Sequence, residues 1–216
     1  MLMLSSIRSI GVIGSFLTIL VIVPGAGSFL SIIGWALILF AVYELSQYGK
    51  DRGIFNNVLI AAILAIAGAV AAAVVVLGAL LSFLGLSGIE GLVSLGRTGV
   101  AQIPAGSSSN LFGFLLTALG GILLLWVFVL ASAFFLRRGY DRIAGRFGVK
   151  TFGTAALVYL IGAALTVILI GLVVILVAEI IQAYAFYSLP DELPEREERP
   201  APMTVPPPPP PYNPSA

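Results

Sequence analysis

Long unbroken apolar runs, not alternation or a narrow amphipathic stripe, set the pattern of this chain. They fall at residues 10–23, 29–45, 54–81, 111–136 and 155–188, with the polar residues collected between them. A bilayer core of about 30 Å is crossed by about 20 helical residues at 1.5 Å each. The two middle runs therefore predict long membrane helices. The first two runs are short and meet at Pro24-Gly25-Ala26-Gly27-Ser28, a turn composition, so they predict a tight helical hairpin. The last run would be roughly 50 Å long as one helix and would overshoot the membrane. Gly171 lies at its midpoint and divides it into a second short hairpin. The expectation is an all-α polytopic transmembrane bundle of about six spans, with two short hairpins flanking two longer spans.

Composition supports that picture. Of 216 residues, 59% are hydrophobic and 10% charged, which is far from the balance of a soluble domain. Cys and His are both absent, which removes disulfides, thiolate and imidazole chemistry and the usual zinc, haem and iron–sulfur ligand sets. No phosphate-binding glycine loop, HExxH or GxSxG pattern is present. The chain is thus expected to be no enzyme, to carry no cofactor and to bind no nucleic acid.

Charge supplies an orientation. With six spans, Arg8, Lys50, Arg52, Arg137, Arg138, Arg142, Arg146, Lys150, Arg196 and Arg199 fall on one side, and Arg97 alone on the other. This bias predicts a multi-pass protein of the cell membrane with both termini cytoplasmic. A single long last helix would move Arg196 and Arg199 across and weaken the bias. Re-entrant hairpins at either end would leave the parity unchanged, so charge does not separate them from full crossings. Arg8 followed by an apolar stretch and small residues also has the form of a signal peptide. Against this, GSFLT from Gly14 resembles GAALT from Gly162, which makes the first segment part of the fold.

That similarity belongs to a wider pattern. Tyr43-Glu44 lies twelve residues before Phe55, and Tyr140-Asp141 twelve before Phe152. The hairpins 14–46 and 162–188 also align, the second about six residues shorter. An internal repeat is possible, and transporters are often built from repeats with a site between them. The alternative is that apolar sequences align by chance.

Several separated motifs, in order, resemble one family: DRGIFNN from Asp51, FLRRGY from Phe135, TFGTAALVYLIGA from Thr151 and AYAFYSLP from Ala183. They are similar to the prokaryotic, largely archaeal membrane family called domain of unknown function 996, over roughly residues 7–190. The resemblance implies a small integral membrane protein of the cell envelope, and no activity.

Four groups of residues stand out. Arg137, Arg138, Arg142, Arg146 and Lys150 share the segment 134–150 with Tyr140, Ile143, Ala144 and Phe147, which follow i, i+3, i+4, i+7 spacing. That pairing predicts an amphipathic helix lying on the membrane surface, cations toward anionic lipid headgroups and aromatics toward the acyl boundary. A soluble anion site is the sharper alternative. Glu179 lies near the middle of the last run with Gln182 one turn on, and Thr166 on the preceding helix is a candidate partner. An intramembrane carboxyl costs roughly 2.5–3.5 kcal/mol to insert and marks a transport or proton site, or else helix-to-helix hydrogen bonding. Ala61, Ala65, Ala69 and Ala73 form a small-residue ladder for close helix packing. Glu44 and Asp141 fit as local ion-pair partners at helix ends, Asp141 four residues after Arg137.

Two segments lie outside the helical scheme, which places the transmembrane domain at 1–188. The connection 87–110 is rich in Gly and Ser and reads as a loop. The segment 189–216 holds eleven of the thirteen prolines and five acids, and reads as a disordered cytoplasmic tail. Its Pro209-Pro210-Pro211-Tyr212 offers a possible docking peptide for a protein partner. The leading functional reading is a non-enzymatic scaffold or accessory membrane subunit; the rival is a small transporter or channel with its site near Glu179.

Overall fold

The computed structural model describes residues 4–83, 108–168 and 170–190. The tail from residue 191 and most of the connection 87–110 lie outside them. Six α-helices carry the fold: α1 (Leu4–Ile19), α2 (Gly27–Tyr48), α3 (Arg52–Phe83), α4 (Ser108–Phe147), α5 (Thr151–Leu165) and α6 (Ile170–Tyr187). Single 3₁₀ turns, Leu20–Ile22 and Thr166–Ile168, extend α1 and α5. All six helices are long and apolar enough to cross a membrane when those turns are counted. The bundle is therefore all-helical, with the short, long, short hairpin order that the apolar runs predicted.

The helices pair as three antiparallel hairpins, α1–α2, α3–α4 and α5–α6, each helix packs against the next, and α6 returns to pack on α1. Two short linkers, residues 49–51 and 148–150, lie at one end of the bundle, here called the linker end. Both chain ends of the bundle are there too, since Arg8 Nη1 donates to the Leu189 carbonyl at 3.4 Å. Gly148 stops α4 with a φ of +73°, a left-handed backbone that a side chain would strain.

Core packing is concentrated in the half of the bundle next to the linkers. Ile7 of α1, Val42 and Leu45 of α2, Ile54 and Val58 of α3, Tyr140 and Ile143 of α4, Phe152 of α5 and Phe186 of α6 are all essentially inaccessible. A row of edge-to-face rings joins three elements there. Tyr140 meets Phe152 at 5.5 Å and Phe152 meets Phe186 at 5.0 Å, geometry that favours the ring quadrupoles. Gly11 on α1 leaves the room that the Phe186 ring occupies.

The repeat seen in the sequence has a physical counterpart. Tyr43 meets Phe55 at 5.2 Å and 78°, and Tyr140 meets Phe152 at 5.5 Å and 82°. The first and last hairpins also cross in the same way. A Cβ on Gly14 would meet the Gly34 carbonyl and Ile38, and one on Gly162 would meet the Gly171 carbonyl and Ile175. From Gly34 the neighbours are Gly14 and the Thr18 nitrogen; from Gly171 they are Gly162 and the Thr166 nitrogen. This register puts Gly34 sixteen residues after Thr18, but Gly171 only five after Thr166. Between these crossing points the second hairpin is shorter by eleven residues, whereas the ends 14–46 and 162–188 differ by about six, because Ser46 and Ser188 do not fall at equivalent positions.

Two sequence expectations need correction. The segment 134–147 is no separate surface helix but the last part of the continuous helix α4. Its apolar face, Tyr140, Ile143 and Phe147, is buried in the protein core and not at the acyl boundary. An i, i+3, i+4, i+7 stripe marks a face that leaves water, and does not say whether protein or lipid receives it. The alanine ladder also turns off its face: Ala61 is buried, but Ala69 and Ala73 are exposed. Residues four apart precess about 40° each turn at 3.6 residues per turn, whereas seven-residue steps precess only ~20°. The packed face of α3 accordingly follows Ala61, Gly68, Ala72 and Ala79, with Gly68 closed over by Phe128 of α4.

Candidate functional site

In the half of α6 toward the linker end, starting from its middle, Glu179 and Gln182 are spaced by three and so face one way. That face turns inward, leaving Glu179 7% and Gln182 5% exposed. Small neighbours, Ala178, Ala183 and Ala185, let α6 sit close enough to α1 for polar side chains to meet. On α1, Ser15 and Thr18 have the same spacing of three and are equally buried.

The four side chains form one connected system with a fifth from α4. The Thr18 hydroxyl lies 2.9 Å from Glu179 Oε2, and 2.7 Å from the Ser15 carbonyl. Gln182 Nε2 donates to Ser15 Oγ at 3.1 Å and, more weakly, to Glu179 Oε2 at 3.4 Å. Ser15 Oγ in turn donates to the Gly11 carbonyl at 3.0 Å. The Tyr140 hydroxyl donates to Gln182 Oε1 at 2.7 Å, which ties α4 to α6. Thr18 has one proton and two acceptors within reach, so it cannot serve both at once.

Among the described residues, every buried side-chain nitrogen or oxygen has a hydrogen-bond partner. Among them, too, no cluster of three or more His, Cys, Asp or Glu could hold a metal ion. The arrangement locks three helices together, α1 to α6 through Thr18, Ser15, Glu179 and Gln182, and α4 to α6 through Tyr140.

Of the residues that the sequence singled out, Glu179 and Gln182 do come together. Thr166 does not join them: its hydroxyl donates to the Gly162 carbonyl at 2.9 Å, on its own helix. The threonine that reaches Glu179 is its repeat counterpart, Thr18. Ser15, Thr18 and Tyr140 were missed as partners. Their signal was the shared three-residue spacing of Ser15/Thr18 and Glu179/Gln182, read against the Gly14/Gly162 similarity.

The basic segment makes a second, separate system at the linker end. Arg146 Nε donates to the Gly49 carbonyl at 2.7 Å, and Arg142 faces Asp51 at 3.5 Å. Arg137 pairs with Asp141 at 3.7 Å, and Arg138 lies over the Phe134 ring at 4.6 Å. Arg142 and Arg146 thus hold the α2–α3 linker, while Arg137 and Arg138 contact residues of their own helix. Exposed pairs of this kind contribute only about 0.3–0.5 kcal/mol each, while Arg138 and Lys150 remain outward-facing.

Comparison with known proteins bears on the whole arrangement. The family model described as "Protein of unknown function (DUF996)" matches residues 30–180. The chain belongs to the DUF996 family. It is also 28% identical over 190 residues to "Uncharacterized protein MJ1644" of Methanocaldococcus jannaschii, covering 88% of this chain and 95% of that one. No solved structure matches. The family match takes in Tyr140 and Glu179 of this site, and leaves out Ser15 and Thr18 on α1 and Gln182 on α6.

Proposed function

We propose that this DUF996 protein is a non-enzymatic scaffold or accessory subunit of the membrane, using its charged linker end toward partners. The observation that carries the reading is the closed hydrogen-bond system at Glu179, in which the one deeply buried carboxyl among the described residues already has Thr18 and Gln182 as partners. A group so saturated is suited to fixing helix positions. Anionic lipid headgroups fit the outward-facing cations Arg138 and Lys150, each contributing ~1 kcal/mol near such a surface. By the excess of Lys and Arg, that end is assigned to the cytoplasm, where the Pro-rich tail would meet any protein partner.

A small transporter or channel is the second reading, favoured by one observation: a buried intramembrane carboxyl, Glu179, lies 2.9 Å from the Thr18 hydroxyl of another helix. Glu179→Gln separates the two. On the scaffold reading, the variant keeps its Tm to within a few degrees and no ion flux is seen in liposomes with either protein. On the transporter reading, the wild type carries a pH-dependent flux that Glu179→Gln abolishes. Flux that is present and lost with this substitution overturns the scaffold assignment.

A further inference from the structure

The three hairpins share a level at the linker end but not at the other. With a rise of 1.5 Å per residue, α3 is about 48 Å long, whereas α1 with its 3₁₀ turn is about 30 Å and α6 about 27 Å. The hairpin α3–α4 therefore outreaches both others by more than 15 Å at the end away from the linkers. Where the membrane lies along this step decides how many helices cross it.

The lateral surface of α4 marks one edge of the hydrocarbon. Arg138, Asp141 and Arg142 are exposed and Arg137 half-exposed, although Phe147, where α4 ends, is still five to ten residues away. From Leu136 outward the surface is apolar: Phe134, Val127, Leu123, Ile122, Leu119, Leu116 and Leu115 are all 46–61% exposed. The register with α3 is given by Ser132 Oγ, which donates to the Ala61 carbonyl at 2.8 Å, and by Gly139, whose Cβ position meets Val58. The level of Arg137 thus corresponds to about residue 60 of α3. From there to Phe83 is about 35 Å of helix, and from Leu136 to Leu111 about 38 Å, which matches a 30 Å hydrocarbon core with modest tilt.

The short hairpins end well before that distance. Tyr140 is level with Gln182 and, through it, with Ser15. Pro24, at the α1–α2 tip, is nine residues beyond Ser15, and Ile170, where α6 begins, is twelve from Gln182. Both tips therefore lie about 10–15 Å below Arg137, near the middle of the core. Their composition suits that depth. Leu20, Val21, Ile22 and Val23 at one tip, and Val167, Ile168 and Ile170 at the other, are 39–61% exposed. The first tip also closes its own backbone bonds, from Val23 N to Leu20 O at 2.9 Å and from Gly27 N to Val23 O at 3.0 Å. Backbone at membrane depth needs such internal partners. Sliding the bilayer until the tips reach the far surface would bury Arg137, Arg138, Asp141 and Arg142 in hydrocarbon, at roughly 2.5–3.5 kcal/mol apiece on the insertion scale. It would also push Leu77, Leu80, Leu115 and Leu116 into water.

We infer that only α3 and α4 cross the bilayer, and that the α1–α2 and α5–α6 hairpins are re-entrant, ending inside it. The leaflet beside the linkers then accommodates six helices and the opposite leaflet two, and acyl chains of that opposite leaflet fill the space beneath the tips. The Glu179 system lies close to the linker-side headgroups, not at the midplane.

The absence of native cysteine makes the test direct. Single variants Val23→Cys, Ile168→Cys, Ser82→Cys and Gln47→Cys of the full chain, in sealed proteoliposomes, are challenged with a membrane-impermeant maleimide from each side. Gln47→Cys should be labelled from the linker side and Ser82→Cys from the other. Val23→Cys and Ile168→Cys should resist the reagent from both sides and react once detergent is added, which shows that each thiol is present and reactive. A nitroxide at the same two positions should be relaxed by oxygen more than by a water-soluble nickel chelate. Labelling of either tip variant from the Ser82 side, at a rate like that of Ser82→Cys, overturns the inference.

Discussion

At the scale of single residues, the hydroxyl of Tyr140 is the most informative group. It is buried on α4, donates to Gln182, and its ring packs on Phe152, so one side chain joins two kinds of contact. Tyr140→Phe keeps the ring and removes only the donor. It should lower stability by about 1 kcal/mol, the usual net worth of one such bond, since Gln182 Oε1 is left without its partner. Thermal unfolding in detergent would register this as a drop of a few degrees, whereas an unchanged Tm would mean that Gln182 finds another donor. Thr18 was harder to foresee from sequence than Tyr140. A threonine on an apolar helix usually back-bonds to its own turn, and Thr166 does so. Only the close approach of α1 and α6 gives its twin a carboxyl to meet.

Helix pairing is where sequence periodicity and structure part. Ala61, Ala65, Ala69 and Ala73 are the visible ladder on α3, yet the contact with α4 follows Ala61, Gly68, Ala72 and Ala79. The two ladders make opposite predictions for neighbouring positions. Gly68→Ile should collide with Phe128 and lower the Tm strongly, because overpacking a tight contact costs typically 1–3 kcal/mol. Ala69→Ile, one residue on, faces outward and should be tolerated. Equal losses at both positions would mean that the outer face of α3 is also covered. The glycine crossings Gly14/Gly34 and Gly162/Gly171 belong to the same scale. Each allows two backbones to approach in a way that a Cβ on either glycine would block.

For the molecule as a whole, the distribution of charge and of helix length matter more than any one contact. Cations gather at the linker end, but the structure divides them by what they touch. Arg142 and Arg146 are engaged by the α2–α3 linker, while Arg138 and Lys150 face outward. Replacing Arg138 and Lys150 with Gln should therefore weaken binding of vesicles rich in anionic lipid, and should do so without a change in Tm. Arg146→Gln should instead loosen the linker and lower the Tm. Equal vesicle binding by the Arg138→Gln, Lys150→Gln double variant and the wild type would remove headgroups from the proposed partners. The repeat is also a property of this scale. The same Tyr–Phe contact and the same glycine crossing recur in different hairpins, but only one copy of each acquires buried polar partners.

By itself the sequence determined that this is a helical membrane protein and that its apolar runs fall as short, long and short hairpins. These follow from length, hydrophobicity and charge count, which act locally and need no partner to be evaluated. Glu179 and Gln182 were legible too, because polar residues in an apolar run stand out and a spacing of three fixes a common face. Tertiary structure alone decided what those side chains meet. Which helix supplies a hydrogen bond depends on how closely two backbones cross, and that is set by glycines and small residues far apart in the chain. It also decided that the face of Tyr140, Ile143 and Phe147 turns to protein. An amphipathic pattern states only that a surface leaves water, and the folded neighbours determine what covers it.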